Sequence, residues 1–283
     1  MANISKINGV AKTNIAKLNG ITFATNTKVM GLTNVAGGTA TTFLAKQSSW
    51  ASGAADGSSG AIGYARVTTG VQTNTTDTVY SSTTADRQWT SDTGGTTPSS
   101  TTGPTAGHDS SASDGREAAS TDDYIYTEAT SQFNKRCLLR TPELNFTNAL
   151  ANSTLQLEFW FHMYGSNIST AGLGVAVTDN STSAADDTLS LHFTSDTAGG
   201  ATIVYWDTAD DDGSSTASGV RIAGQQQTAG HGSTSTAAHW RKATVDLNSV
   251  AGQSSVYIWF YSKTGSQFRS DVAIDDVLVT GEE

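Results

Sequence analysis

Residues 155–164 read LQLEFWFHMY and alternate without a break. Leu155, Leu157, Phe159, Phe161 and Met163 fall on one side of an extended chain, and Gln156, Glu158, Trp160, His162 and Tyr164 on the other. A helix repeats about every 3.6 residues and would scatter these apolar positions around its circumference. The stretch therefore predicts a strand with one buried face. Such a strand cannot bury that face alone, so it demands sheet neighbours and a second layer to pack against.

The rest of the chain supplies them. YIYTEA, LGVAVTD, TLSLHFT, ATIVYWD, KATVDL, VYIWFYSK and VAIDDVLV have the same extended character and are separated by Gly-, Ser- or Asp-rich turns. Ile62–Thr69 and Thr78–Ser81 are strand-like upstream. Ser, Thr, Gly and Ala dominate, whereas Leu, Glu and Lys, the common helix formers, are scarce. The expectation is an all-β chain: an antiparallel jelly-roll β-sandwich with a short N-terminal strand or hairpin arm.

The chain of 283 residues has a formal charge of -10, which makes DNA and anionic membranes poor partners, so no nucleic-acid partner is expected. No segment is apolar for long enough to insert into a membrane. Lys6, Lys12 and Lys17 interrupt any apolar core of a secretory signal, so assembly in a cytoplasm is expected. Cys137 is the one cysteine; it has no internal disulfide partner and reads as a small buried apolar residue.

The N-terminus repeats itself. Ile4-Ser5-Lys6-Ile7-Asn8-Gly9-Val10 returns as Ile15-Ala16-Lys17-Leu18-Asn19-Gly20-Ile21, with a fainter third copy at Lys28-Val29-Met30-Gly31-Leu32. Asn-Gly between apolar β-branched residues is a hairpin signal. Residues 1–35 are thus expected to form an anchoring arm. Ile4, Ile7, Ile15, Leu18 and Ile21 would supply buried contacts, and Lys6 and Lys17 would meet acidic partners. Residues 36–61 read as a small, polar connector in which Phe43, Leu44 and Trp50 pack on a neighbour, and 62–283 as the β domain.

Four segments of that domain, in order, resemble the MAM family of jelly-roll adhesion modules over roughly residues 70–281. The first is Asp86-Arg87-Gln88-Trp89-Thr90, followed by Pro98-Ser99-Ser100 and Thr102-Gly103-Pro104, then His108-Asp109 in reversed order relative to the family. The second is Tyr124-Ile125-Tyr126 with Leu138-Leu139-Arg140-Thr141-Pro142, and the third is Leu157 to Gly165. The fourth is Trp240 with Val245-Asp246-Leu247 and the closing run Gly265 to Val277. The family's disulfide cysteines and its opening Phe-Glu are missing, and residues 110–123 look like an insertion. The N-terminal repeat is similar to those at the front of tailed-bacteriophage virion proteins.

These resemblances imply a non-enzymatic virion structural protein, a fibre or capsid-decorating protein on the virion surface. Its arm would bind other virion proteins, and its jelly roll would be exposed for adhesion or host glycan contact. A homo-oligomer, such as a trimer, fits fibres of this kind. A free glycan-binding lectin-like adhesin and a carbohydrate-active enzyme are the alternatives. No cofactor is required; some MAM modules hold a structural calcium, and Asp275 and Asp276, placed before the last strand, with Asp109 and Asp123 would be its ligands. One aspartate in a turn or pairing with Arg269 is the simpler reading. Asp207 to Gly213 reads as a solvated hairpin tip. The five histidines lack metal-ligand spacing, no G-x-S-x-G elbow occurs, and Glu158 suits a cross-strand ion pair better than a glycosidase carboxylate. Trp206, Tyr124 and Tyr126 are the aromatic candidates for stacking on a sugar.

Overall fold

The computed structural model describes residues 6–7, 10–11, 17–18, 21–22, 28–29, 32–33, 38–47, 50, 64–67, 89–92, 102–118, 122–151, 154–168, 172–178, 192–196, 203–205, 219–222, 224–230 and 235–283. Three hairpins open the chain. They pair β1 (Lys6–Ile7) with β2 (Val10–Ala11), β3 (Lys17–Leu18) with β4 (Ile21–Thr22), and β5 (Lys28–Val29) with β6 (Leu32–Thr33). Each pair is separated by two residues, Asn8-Gly9, Asn19-Gly20 and Met30-Gly31, the loop length the sequence signal requires. The hairpin expectation and the faint third repeat are therefore both realised. Ile4 and Ile15 lie outside the described residues.

Among the described residues thirteen strands follow: β7 (Ala40–Gln47), β8 (Ala65–Val67), β9 (Thr90–Asp92), β10 (Tyr124–Thr127), β11 (Arg136–Arg140), β12 (Gln156–His162), β13 (Leu173–Thr178), β14 (His192–Asp196), β15 (Ile203–Tyr205), β16 (Gly219–Ile222), β17 (Arg241–Asp246), β18 (Tyr257–Lys263) and β19 (Val272–Glu282). One sheet has the order β14-β17-β12-β19-β10-β9, with β7 also on β19; the other runs β15-β16-β13-β18-β11-β8. All pairings are antiparallel. Thr78–Ser81 lies outside the described residues.

The alternation of 155–164 is realised as drawn: Leu155, Leu157, Phe159, Phe161 and Met163 are all buried in the core between the sheets. Phe159 of one sheet meets Phe260 of the other edge-to-face, 5.2 Å between ring centroids. Each such side chain contributes roughly 2 kcal/mol by leaving water. Cys137 is buried in the same core.

Residues 36–61 are more than a connector. Strand β7 lies inside them and joins the seven-stranded sheet, Phe43 packs edge-on against Phe146 at 5.1 Å, and Trp50 is fully buried. The polar TATT of β7 concealed it, because an edge strand with one exposed face needs few apolar residues.

A second apolar cluster, Tyr124, Tyr126, Trp240 and Ala273 with Trp160 against it, sits on the outer face of the seven-stranded sheet. Residues 102–118 cover it. Tyr124 Oη donates to the Pro104 carbonyl at 3.5 Å, Trp240 Nε1 to the Ala106 carbonyl at 3.2 Å, and Trp240 N to the Gly115 carbonyl at 2.7 Å. The supposed insertion is thus in part a packed layer of the domain. Among the described residues, no helix is long and apolar enough to cross a membrane.

Candidate functional site

Strand β19 is the backbone of the site. On one edge it carries β12 throughout. On the other it pairs with β10 at Val272–Ile274 and with β7 from Val277 onward. Asp275 and Asp276 fall in the gap between those two partners. They lie within the last strand rather than before it, at a bulge where Phe159 is skipped in the register with β12. Asp276 has φ of 51°, a left-handed conformation that costs a non-glycine residue roughly 1 kcal/mol. The bulge resets the alternation, so Val272 and Ile274 before it and Val277 and Val279 after it all reach the core.

Two buried carboxylates at a sheet junction require partners, and the chain supplies them from four places. Asp275 Oδ1 accepts from Trp50 Nε1 at 3.2 Å and from Asp276 N at 2.8 Å; Oδ2 accepts from His108 N at 2.9 Å. Asp276 Oδ2 lies 2.8 Å from His108 Nδ1 and 3.6 Å from Lys46 Nζ, while Oδ1 accepts from Ser110 Oγ at 2.7 Å. The His108 ring stacks on Trp160, 3.8 Å between centroids and 13° from parallel. Gly107 is required here, because a Cβ would stand 2.8 Å from Asp275 Oδ2. Burial, then the charge of Asp276, pushes the Asp275 carboxyl well above the ordinary range, and its N–H donors oppose the shift.

The remaining predicted ligands do not join this pair. Asp109 is held by Arg116 Nε at 2.9 Å and by Ser111; the Ser111 hydroxyl and then Arg116 lower its carboxyl to about 2. Asp123 accepts from Trp50 N at 2.7 Å. Both oxygens of Asp275 and Oδ1 of Asp276 already accept from an N–H or O–H, His108 Nδ1 sits on Asp276 Oδ2, and a lysine ammonium stands beside them. Calcium takes six to eight oxygens, and no three His, Cys, Asp or Glu side chains among the described residues converge on one point. The residues present do not fit the ion. The arrangement is instead a hydrogen-bonded rivet joining β7, β19 and residues 102–118.

The sugar-stacking candidates fare differently from one another. Tyr124 and Tyr126 are buried, packed with Trp240 beneath residues 102–118, and present no ring face to solvent. Packing against Trp240, more than a hundred residues later, was invisible in the YIY pattern. Trp206 lies outside the described residues. Glu158 pairs with Lys242 at 2.6 Å across β12 and β17, the ion pair expected of it. Trp50 was expected to pack on a neighbour, but its bond to Asp275, and the contacts of Lys46 and Ser110 to Asp276, span more than 160 residues and left no local signal.

No family model matches the chain. Three solved structures resemble it distantly. The K1 cleaved adhesin domain of Lys-gingipain from Porphyromonas gingivalis is 17% identical, with 69% of this chain and 84% of that chain covered and a TM-score of 0.34. The K2 domain of Lys-gingipain is 14% identical over 85% and 97%, at 0.33. The K3 domain from Porphyromonas gingivalis is 18% identical over 58% and 79%, at 0.29. Likenesses at this level carry no functional argument.

Proposed function

We propose that the protein is a non-enzymatic attachment protein of a tailed-phage virion, a fibre or capsid-decorating protein. Its hairpin arm docks on other virion proteins, and its sandwich is displayed for surface adhesion. The observation that carries this reading is the polarity of the molecule. The chain enters the sandwich beside Glu283, where Thr39 and Glu283 exchange backbone hydrogen bonds at 2.8 and 3.0 Å. From there β19 runs eleven residues to Val272 at the opposite pole, about 35 Å away. An arm at one pole leaves the other free to meet a surface. The tandem hairpins, whose first strands begin at Lys6, Lys17 and Lys28, form a regular unit for repeated contacts.

Assembly in a host cytoplasm and homo-oligomerisation, as a trimer in a fibre, belong to the same reading. Deleting residues 1–35 and measuring incorporation into particles tests it: the expected product is a folded sandwich absent from the virion. Incorporation at the full-length level would overturn the reading. A free glycan-binding adhesin is the second reading, favoured if the full chain binds sugar tightly and never associates with particles.

A further inference from the structure

Among the described residues, 128–135 (β10 to β11), 163–168 (leaving β12) and 264–271 (β18 to β19) lie at the pole remote from Thr39. They hold one another rigidly. Asn134 N donates to the Gly265 carbonyl at 2.9 Å, Thr264 Oγ1 to the Gln132 carbonyl at 2.6 Å, and Asn167 N to the Arg269 carbonyl at 3.0 Å. Beneath them the buried Asp271 accepts from Ala129 N and Thr102 Oγ1, both at 2.8 Å. Ser131 and Asn134 take positive φ of 58° and 56°, so the turn that carries Phe133 is set against local preference.

Upon this frame stand Phe133 and Phe268, 44% and 40% exposed, the two exposed large apolar residues among those described. Both occur in the tripeptide Ser-Gln-Phe, at 131–133 and 266–268, each followed within two residues by a basic side chain or preceding one directly: Lys135 and Arg269. Arg269 lies over the Phe268 ring, 5.5 Å from its centroid. The acids of these connections, Glu128 and Asp271, are 3% and 0% exposed, so the accessible formal charge is positive in a chain whose total is -10. Lys263, at the end of β18, adds to that sign.

We infer that this pole binds an anionic polysaccharide, with Phe133 and Phe268 lying against the apolar faces of sugar rings and Lys135 and Arg269 pairing with uronate or sulfate groups. The inference rests on the adhesion reading above and names its ligand class and place. Two rings set among Gln132, Asn134 and Gln267 suit a ligand that alternates C–H faces with hydroxyls. A protein partner would need about 800 Å² of continuous contact on this side. The positive charge supplies both selectivity and encounter rate.

The test is binding of the full chain to immobilised alginate and dextran sulfate, against carboxyl-reduced alginate and dextran. The expected result is binding to the charged polymers alone, weakened about tenfold or more by Phe133→Ser or Phe268→Ser and abolished by Lys135→Glu with Arg269→Glu. Loss with the charge variants but none with the phenylalanine variants would reduce the effect to ion exchange and overturn the inference. So would equal binding to the neutral polymers, or no binding to any of the four. Because particle incorporation through residues 1–35 is measured separately, the attachment reading stands or falls on its own result.

Discussion

Asp276 Oδ2 lies 2.8 Å from His108 Nδ1, with both side chains essentially removed from solvent. The two residues are 168 positions apart in the chain, so this contact fixes residues 102–118 to the last strand. Removing one member of such a pair leaves the other buried without its partner, which costs more than the pair contributes as a unit.

His108→Ala is expected to lower the unfolding free energy by about 3 kcal/mol in urea melts. His108→Phe keeps a ring against Trp160 but still deprives Asp276 Oδ2 of its imidazole partner, and it should recover little of the loss. Substantial recovery would place the stabilisation in the stack instead of the hydrogen bond.

Trp50→Phe separates packing from hydrogen bonding at the other carboxylate. The ring retains its edge contact with Tyr64, 5.1 Å between centroids, while Asp275 Oδ1 loses the indole N–H. A cost of about 1.5 kcal/mol is expected, against about 4 kcal/mol for Trp50→Ala. Equal costs would contradict a role for the indole donor.

The pH dependence follows from opposed shifts. Burial raises the carboxyls of Asp275, Glu117 and Asp122, so their contribution to stability is complete below the ordinary carboxylate range and is lost as pH rises through their raised values. Asp109, lowered to about 2, contributes above the ordinary range and loses its contribution as pH falls toward that value. Calorimetry should find the melting temperature higher near about pH 5 than about pH 8, falling again below about pH 3. Asp275→Asn should flatten the upper limb; an unchanged limb would assign it to net charge alone.

Calcium and EDTA should each move the melting temperature by no more than about one degree, because hydrogen-bond donors already occupy the oxygens of Asp275 and Asp276. A larger rise with calcium would mean that the node rearranges to admit the ion.

Gly115→Ala tests the cover over the outer aromatic cluster. Gly115 has φ of +78°, and a Cβ there would meet the Trp240 carbonyl. A loss of about 2 kcal/mol is expected, read as earlier exposure of Trp240 in fluorescence-monitored unfolding.

The sandwich was legible because its signals are local. The alternation of Leu155 to Met163 and the Asn-Gly pairs each state a backbone geometry within a few residues. The site was not, because it is built from contacts that no short window contains. Trp50 and Lys46 sit in a stretch whose composition reads as linker, and their partners come more than 220 residues later. Tyr124 and Tyr126 looked like candidates for a surface because their packing against Trp240 and Ala273 leaves no trace in the YIY stretch itself. Phe133 and Phe268 did leave a trace, the repeated Ser-Gln-Phe. It takes on meaning only once the two turns are known to be hydrogen-bonded neighbours.

The pairing of β7 with β19 has a mechanical consequence. If the arm is anchored and the far pole is held by a surface, as proposed, tension would enter at Thr39 and run parallel to both strands. The hydrogen bonds between them are then loaded together in shear, instead of being peeled open one after another. The rivet of Trp50, Asp275, Asp276 and His108 lies at the inner end of β7, where a sliding strand would first have to break free. A domain drawn taut between particle and cell would thus bear load along its most extensively paired strand.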